Sequence, residues 1–300
     1  ARAWSRERDP GVLERGRACA KTAPPIGASL PRIDRGTRDV CSILARMDAF
    51  EPATLGPLRL RNRLLKAATY EGMSPGGVAS DALVEHHVRL ARGGVGMTTV
   101  AYCAVAPSGR TFGDQLQLGP ASASKLRELV RRVHDEGAAV SLQLGHAGFF
   151  SKLRDERGRA PRGPSRTLNA YGASSGVPFA GEMNEADIRA VIDAFGEAAA
   201  RAVELGFDAV EIHLGHGYLL SQFLSPATNH RTDRWCGSAE RRLALPLAVL
   251  ERVRRSVGRD RAVLAKTNLD DGFDAGLTIE DAVVVARALE ASGDVDLIVP

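Results

Sequence analysis

EADIRAVIDAFGEAAARAVELGFDAVEIHL, residues 185–214, holds a helix, a stop and a strand in succession. Ile188, Val191, Ile192, Phe195, Ala199, Ala202 and Val203 recur at three- and four-residue intervals. That spacing predicts a helix over 185–205 with one core-facing stripe. Gly206 supplies the stop, because glycine enters the left-handed region that ends helices without a steric penalty. Ala209–Leu214 follows as a short, nearly continuous apolar run, the pattern of a strand covered on both faces. An amphipathic helix feeding such a strand is the repeating unit of a parallel α/β fold.

The same alternation extends in both directions. Further strands are expected at Arg63–Thr69, Gly96–Cys103, Ala138–Leu144, Ala262–Asn268 and Val295–Val299, and helices at Asp81–Arg92, Ala121–Glu136, Ala239–Val257 and Ile279–Ala291. Ser80, Pro120 and Thr278 stand at helix entries, while Gly93, Gly94, Gly137, Gly258 and Gly293 follow helix ends. The fold class is therefore α/β, a (β/α)8 TIM barrel. Only about six βα units are legible, so the barrel is expected to be incomplete at its C-terminal end; a natural six-stranded open barrel is the alternative. Residues 49–300 form the barrel domain in this reading. Residues 1–48 lack hydrophobic periodicity and are expected to be a disordered extension.

The chain has 300 residues, 44% hydrophobic and 25% charged, with a formal net charge of +4. Ten Arg or Lys against six Asp or Glu lie in the first 48 residues, and no like-sign block appears elsewhere, so nucleic acid is not indicated as a partner. Cys19, Cys41, Cys103 and Cys236 are scattered without a CxxC, which excludes a disulfide framework and a zinc site of that type. No apolar run reaches the roughly 18 residues of a membrane span. A cytoplasmic location is expected, and assembly into a homo-oligomer is left open.

The long segments after the third and fourth predicted strands, 145–183 and 215–238, lie where βα barrels build their active sites. HLGHGY, residues 213–218, leads from the fourth strand into the second of these segments. His213 ends a strand, His216 follows across a turn expected at Gly215 and Gly217, and Tyr218 comes two residues later. Two imidazoles can converge on one carbonyl oxygen and stabilise developing enolate charge. A phenol beside them can deliver a proton to the adjacent carbon. A metal held by the two histidines is the competing reading, and strand alternation is taken to turn Glu211 away from His213. No metal is therefore expected.

HLGHGYLLSQFLSPATNHRTDRWCGS, 213–238, resembles the signature of the Old Yellow Enzyme family of NAD(P)H:flavin oxidoreductases, including its 2,4-dienoyl-CoA reductase-like branch. The likeness runs from about Phe50 to Pro300 through GPLRLRNRLLKAATYEGM, GGVGMTTVAYCAVAPSGR and SLQLGHAG. It implies a barrel carrying FMN, reduced by NADH or NADPH and passing hydride to the β-carbon of an α,β-unsaturated carbonyl or enoyl compound. The implied catalytic residues are His213 and His216, holding the carbonyl oxygen, and Tyr218, protonating the α-carbon. Flavin contacts are implied for Gln143, for Ala67, Ala68, Thr69 and Tyr70 on the first strand, for Tyr102 on the second, and for Lys266, which stands where the family usually has Arg. Tyr70 replaces a Cys or Thr common in the family. His146 is balanced between a structural and a substrate-facing role, and Asn229, Arg231 and Asp233 are expected to be loop scaffolding. In TIM barrels the loops after strands seven and eight frequently build the phosphate site. Neither is legible here, so this fragment is expected to bind little or no FMN, which a flavin absorption band near stoichiometry would contradict.

Two other readings remain. Lys266 ends a strand and could form a Schiff base, as lyase barrels do. The chain could also be an inactive barrel fragment.

Overall fold

The computed structural model describes residues 48–300. The expected disordered extension, Cys19 and Cys41 lie outside the described residues. A hairpin of β1 (Ala53–Leu55) and β2 (Leu58–Leu60) comes first, then β3 (Leu65–Lys66), α1 (Asp81–Arg92), β4 (Met97–Ala104), α2 (Pro120–Asp135) and β5 (Ala139–Gly145). The loop after β5 carries β6 (Arg162–Gly163), β7 (Thr167–Leu168), the single turn α3 (Ala170–Ala173) and β8 (Phe179–Glu182). The chain continues through α4 (Glu185–Glu204), β9 (Ala209–Leu214), α5 (Leu219–Leu224), α6 (Ala239–Arg242), α7 (Ala244–Val257), β10 (Ala262–Thr267), α8 (Ile279–Ser292) and β11 (Leu297–Val299).

Six strands pair in parallel in the order β3-β4-β5-β9-β10-β11. With helices between them they form an incomplete (β/α)8 barrel. Alternation divides each strand between two environments. Val210, Ile212, Leu214, Val263 and Ala265 join the large core under the helices, with Phe195 and Ala199 of α4. Ala209, Ala262, Leu264 and Met97 face the other way and cluster with Leu55 and Leu60 of the hairpin, which plugs the N-terminal end of the barrel. Burying a Phe or Leu side chain contributes roughly 1.5–3 kcal/mol, so the helix-facing layer dominates stability.

Helix ends follow the predicted signals. Ser80 and Thr278 accept from the backbone N–H groups of Leu83 and Asp281, and Pro120 is the first residue of α2. Asn184 and Asp187 form a reciprocal capping box at α4. Gly94, Gly137, Gly206, Gly258 and Gly293 sit at positive φ, whereas Gly93 is ordinary helical backbone. The helix expected over 239–257 breaks at Leu243, because Pro246 has no N–H for the Arg242 carbonyl. The first barrel strand stops at Lys66, so Ala67, Ala68, Thr69 and Tyr70 lie in the irregular segment beyond it rather than on the strand. Among the described residues, no helix is long and apolar enough to cross a membrane.

Candidate functional site

At the C-terminal ends of the strands the inward positions turn polar. Gln143, Glu211, His213 and Lys266 are all buried there. Lys266 is paired in register with His213, and Glu211 with Gln143. The expectation that Glu211 turns away from His213 is corrected. Residues two apart on a strand share a face, and Gln143 Nε2 donates to Glu211 Oε1 at 2.7 Å inside the barrel. Burial pushes the Glu211 carboxyl above its usual range, although the Gln143 bond and the charge of Lys266 oppose that. The Lys266 ammonium donates to no described residue, so the inner polar layer keeps an uncommitted cation beside the histidines.

His213 is 2% exposed, and its Nδ1 accepts from the Gly215 N–H at 3.4 Å. The proton is then on Nε2, which lies 3.3 Å from His216 Nδ1. Burial, followed by the charges of His216 and Lys266, lowers the His213 pKa to about 3, so it works as a neutral N–H donor. The turn between the histidines is not the one expected from two glycines. His216 itself has φ of 58° and Gly217 has 71°, while Gly215 is not left-handed. A side chain at positive φ costs on the order of 1–3 kcal/mol. The Asn268 Oδ1 after β10 holds it there, accepting from the His216 N–H at 2.9 Å. A Cβ at Gly215 would lie 2.8 Å from that same oxygen and push the Asn268 side chain off the His216 N–H.

Tyr218 caps α5, is 8% exposed and sets its ring edge-on to His213 at 5.0 Å between centroids. Tyr102 lies 5.3 Å from Tyr218 and 5.8 Å from Tyr70. Burial, and then the Tyr218 phenol, holds the Tyr102 phenol well above its ordinary range. The ladder between β4 and β5 slips between Val100 and Cys103, and this bulge turns Tyr102 into the cleft. Glu71 braces the bulge. Its Oε1 accepts from the Ala101 N–H at 3.1 Å and from Lys66 Nζ at 2.7 Å, with His87 Nε2 at 3.4 Å. Burial disfavours the Glu71 carboxylate, but hydrogen bonds from His87 and Lys66 bring its pKa below the usual value.

Glu71, His86 and His87 are a group of metal-ligating types that sequence reading missed. The Lys66 ammonium already occupies the carboxylate, so a cation would have to displace it. His146 is not in the aromatic cleft: it is 5% exposed, its Nδ1 accepts from the Gly148 N–H at 3.0 Å, and it packs beneath Gly109. Asn229, Arg231 and Asp233 are scaffolding. Asn229 Nδ2 donates to the Phe223 and Trp235 carbonyls, and Arg231 joins Asp233 to the Pro164 and Met183 carbonyls. Cys236 Sγ rests 3.2 Å from the Asn229 carbonyl.

Three buried histidines predict acid sensitivity: burial lowers the pKa of His87 as it does those of His213 and His146. His213 and His146 have folded pKa values of about 3 and about 4, against 6.5 unfolded. The unfolded chain therefore binds more protons below pH 6.5, and stability falls as pH drops towards about 4. His213 and His146 alone give a slope of up to about 2.7 kcal/mol per pH unit. Glu211 acts in the opposite sense and flattens the low end. Urea unfolding between pH 7 and 5 checks this; a flat profile would contradict it.

The profile of the NADH:flavin oxidoreductase / NADH oxidase family matches residues 48–298. A 4,4'-dithiodibutanoate disulfide reductase of Rhodococcus erythropolis is 45% identical over 249 residues, covering 82% of this chain and 60% of the relative. An NADPH dehydrogenase of Bacillus subtilis (strain 168) is 32% identical over 252 residues, covering 83% and 71%. The crystal structure of Old Yellow Enzyme from Pichia sp. AKU4542 superposes with a TM-score of 0.78 at 25% identity, covering 85% of this chain and 71% of that one. The chain spans three fifths of the first relative's length, and 36% and 37% of two others.

Proposed function

Because the chain belongs to the NADH:flavin oxidoreductase / NADH oxidase family, we propose that its cleft is the active site of an FMN-dependent ene-reductase acting on α,β-unsaturated carbonyl compounds. One observation carries the reading: two neutral imidazoles with facing nitrogens 3.3 Å apart at the end of β9, and a phenol edge-on to the deeper one. The donors present suit a flavin. Gln143 offers an amide and Lys266 an uncommitted ammonium on the inner face, beside the exposed Ala67, Thr69 and Tyr70 and the half-buried Tyr102. Lys266 would hold the anionic edge of the reduced ring as a point charge, without the fork of an arginine. Bound FMN supplies hydride taken from NADH or NADPH.

The remaining chemistry belongs to the chain. His213 donates its Nε2–H to the substrate oxygen in place of the bond to His216, and His216 turns to donate beside it. Two neutral donors stabilise enolate charge as it forms, without having to lose a proton first. Tyr218 then gives its phenolic proton to the α-carbon. The low His213 pKa suits this role, since a protonated imidazole would lose the Gly215 bond on Nδ1.

Asn268→Ala releases the His216 turn. It is expected to lower kcat/KM for cyclohexenone roughly tenfold, chiefly by raising KM, as loss of about one hydrogen bond implies. Unchanged steady-state kinetics would contradict the assignment. NAD(P)H oxidation by FMN-loaded protein with cyclohexenone tests the reaction itself. The 45%-identical relative supports a second reading, reductive cleavage of a disulfide. The same assay with 4,4'-dithiodibutanoate separates the two. A Schiff-base lyase at Lys266 is not favoured, because it leaves the two imidazoles and the phenol without a task.

A further inference from the structure

The chain contains four tyrosines, and all of them meet around one cleft. The rim can be followed ring by ring. From Tyr218 it passes to Phe150 at 6.0 Å and on to Tyr171, stacked at 4.4 Å. Lys152 Nζ sits 4.3 Å from the centre of the Tyr171 ring. The Lys152 N–H donates to the Thr111 carbonyl at 2.8 Å, next to Phe112. Phe112 meets Tyr70 edge-on at 5.2 Å, and Tyr70 leads through Tyr102 back to Tyr218. The circuit closes, and Lys152 is its one charged side chain.

Two cations of the same loop are committed: Arg159 pairs with Asp155 at 2.6 Å and Arg162 with Asp187 at 2.7 Å. Arg154, Arg157 and Arg166 meet no carboxylate within ion-pair distance among the described residues and, unlike Lys152, none sits over a ring of this circuit. Lys152 meets no carboxylate within ion-pair distance among the described residues. Asp114, the acid near Tyr70, accepts from the Gly76 N–H at 2.8 Å instead. The Tyr171 face holds the ammonium in place without neutralising it, because attraction to a ring leaves the formal charge intact. A flat unsaturated body suits the aromatic wall, and the far end of that wall presents an unpaired positive charge.

We propose that Lys152 forms an anion subsite of this cleft, receiving a carboxylate carried on a tail several bonds from the substrate's reacting carbons. The inference rests on the ene-reductase reading and names its substrate class: unsaturated carbonyl compounds with a remote carboxylate. The tail runs from Tyr218 along Phe150 and Tyr171, and its carboxylate accepts from the ammonium at the rim.

The test compares a cyclohexenone bearing a butanoate tail with its methyl ester, in the FMN-loaded full chain and in its Lys152→Gln and Lys152→Arg variants. KM is measured for both compounds, and calorimetric Kd for their saturated analogues. The carboxylate is expected to be favoured about five- to tenfold, the range for a charged hydrogen bond at a partly exposed pair. Lys152→Gln abolishes the preference and Lys152→Arg keeps most of it. Added salt shrinks it in the parent chain. The ratio is read within each variant, so a general loss of folding or rate does not alter it. Equal binding of acid and ester by the parent chain, or a preference that survives Lys152→Gln, overturns the subsite. If nothing is reduced but the calorimetric preference depends on Lys152, the subsite stands and the reaction assignment falls.

Discussion

Replacing Tyr218 by Phe is expected to slow the reoxidation of reduced, FMN-loaded protein by cyclohexenone by roughly 10²–10⁴-fold, the usual span for loss of a positioned general acid. Reduction by NADH or NADPH should be unaffected, because that step delivers no proton to a substrate carbon. Stopped-flow absorbance of the flavin band separates the two half-reactions. The variant should fold normally, since the ring keeps its packing against His213 and Tyr102 and only its hydroxyl, which acts on the Tyr102 phenol, is lost. Equal slowing of both half-reactions would point to a displaced flavin rather than a missing proton.

The second large effect is expected at Glu71. Glu71→Ala leaves the Lys66 ammonium, whose side chain is 15% exposed, without its carboxylate, and leaves the Ala101 N–H without its acceptor. Removing one partner of a buried pair costs about 3–5 kcal/mol. For a domain of this size that is a fall in Tm of roughly 10 °C. Glu71→Gln keeps the acceptor for Ala101 and should lose less. The pH dependence has a definite sign. The Glu71 pKa is lower in the folded chain than its ordinary 4.5, so its contribution is complete above that value and is lost as pH falls through the folded pKa. The difference in Tm between parent and Glu71→Ala should therefore narrow in acid. A difference independent of pH would mean that Glu71 acts through packing alone.

Much of this arrangement was legible in the sequence, and the reasons are local. Asp81–Arg92 and Ala209–Leu214 were predicted to the residue, because a capping serine and a nearly continuous apolar run leave little freedom. His213, His216 and Tyr218 were found together because they are neighbours on one strand end. The β1–β2 hairpin escaped notice, since three-residue strands carry almost no periodicity. Ala67–Tyr70 were assigned to a strand because an apolar run does not show where hydrogen bonding stops. The rim of Tyr70, Tyr102, Phe112, Phe150, Lys152 and Tyr171 was not readable at all. Its members come from β4 itself and from separate loops after β3, β4 and β5, and only the pairing of those strands side by side brings them together. Glu71 gave no signal either, because its task is set by a bulge about thirty residues away.

The central claim is geometric: His213 and His216 share one substrate oxygen while Tyr218 faces the carbon beside the carbonyl. The most direct measurement is the crystal structure of the FMN-loaded chain soaked with cyclohexenone. The account predicts the carbonyl oxygen within about 2.7–3.2 Å of a nitrogen on each imidazole, with the flavin edge against Gln143 and Lys266. A carbonyl bound away from both histidines, or a flavin seated elsewhere, would contradict it.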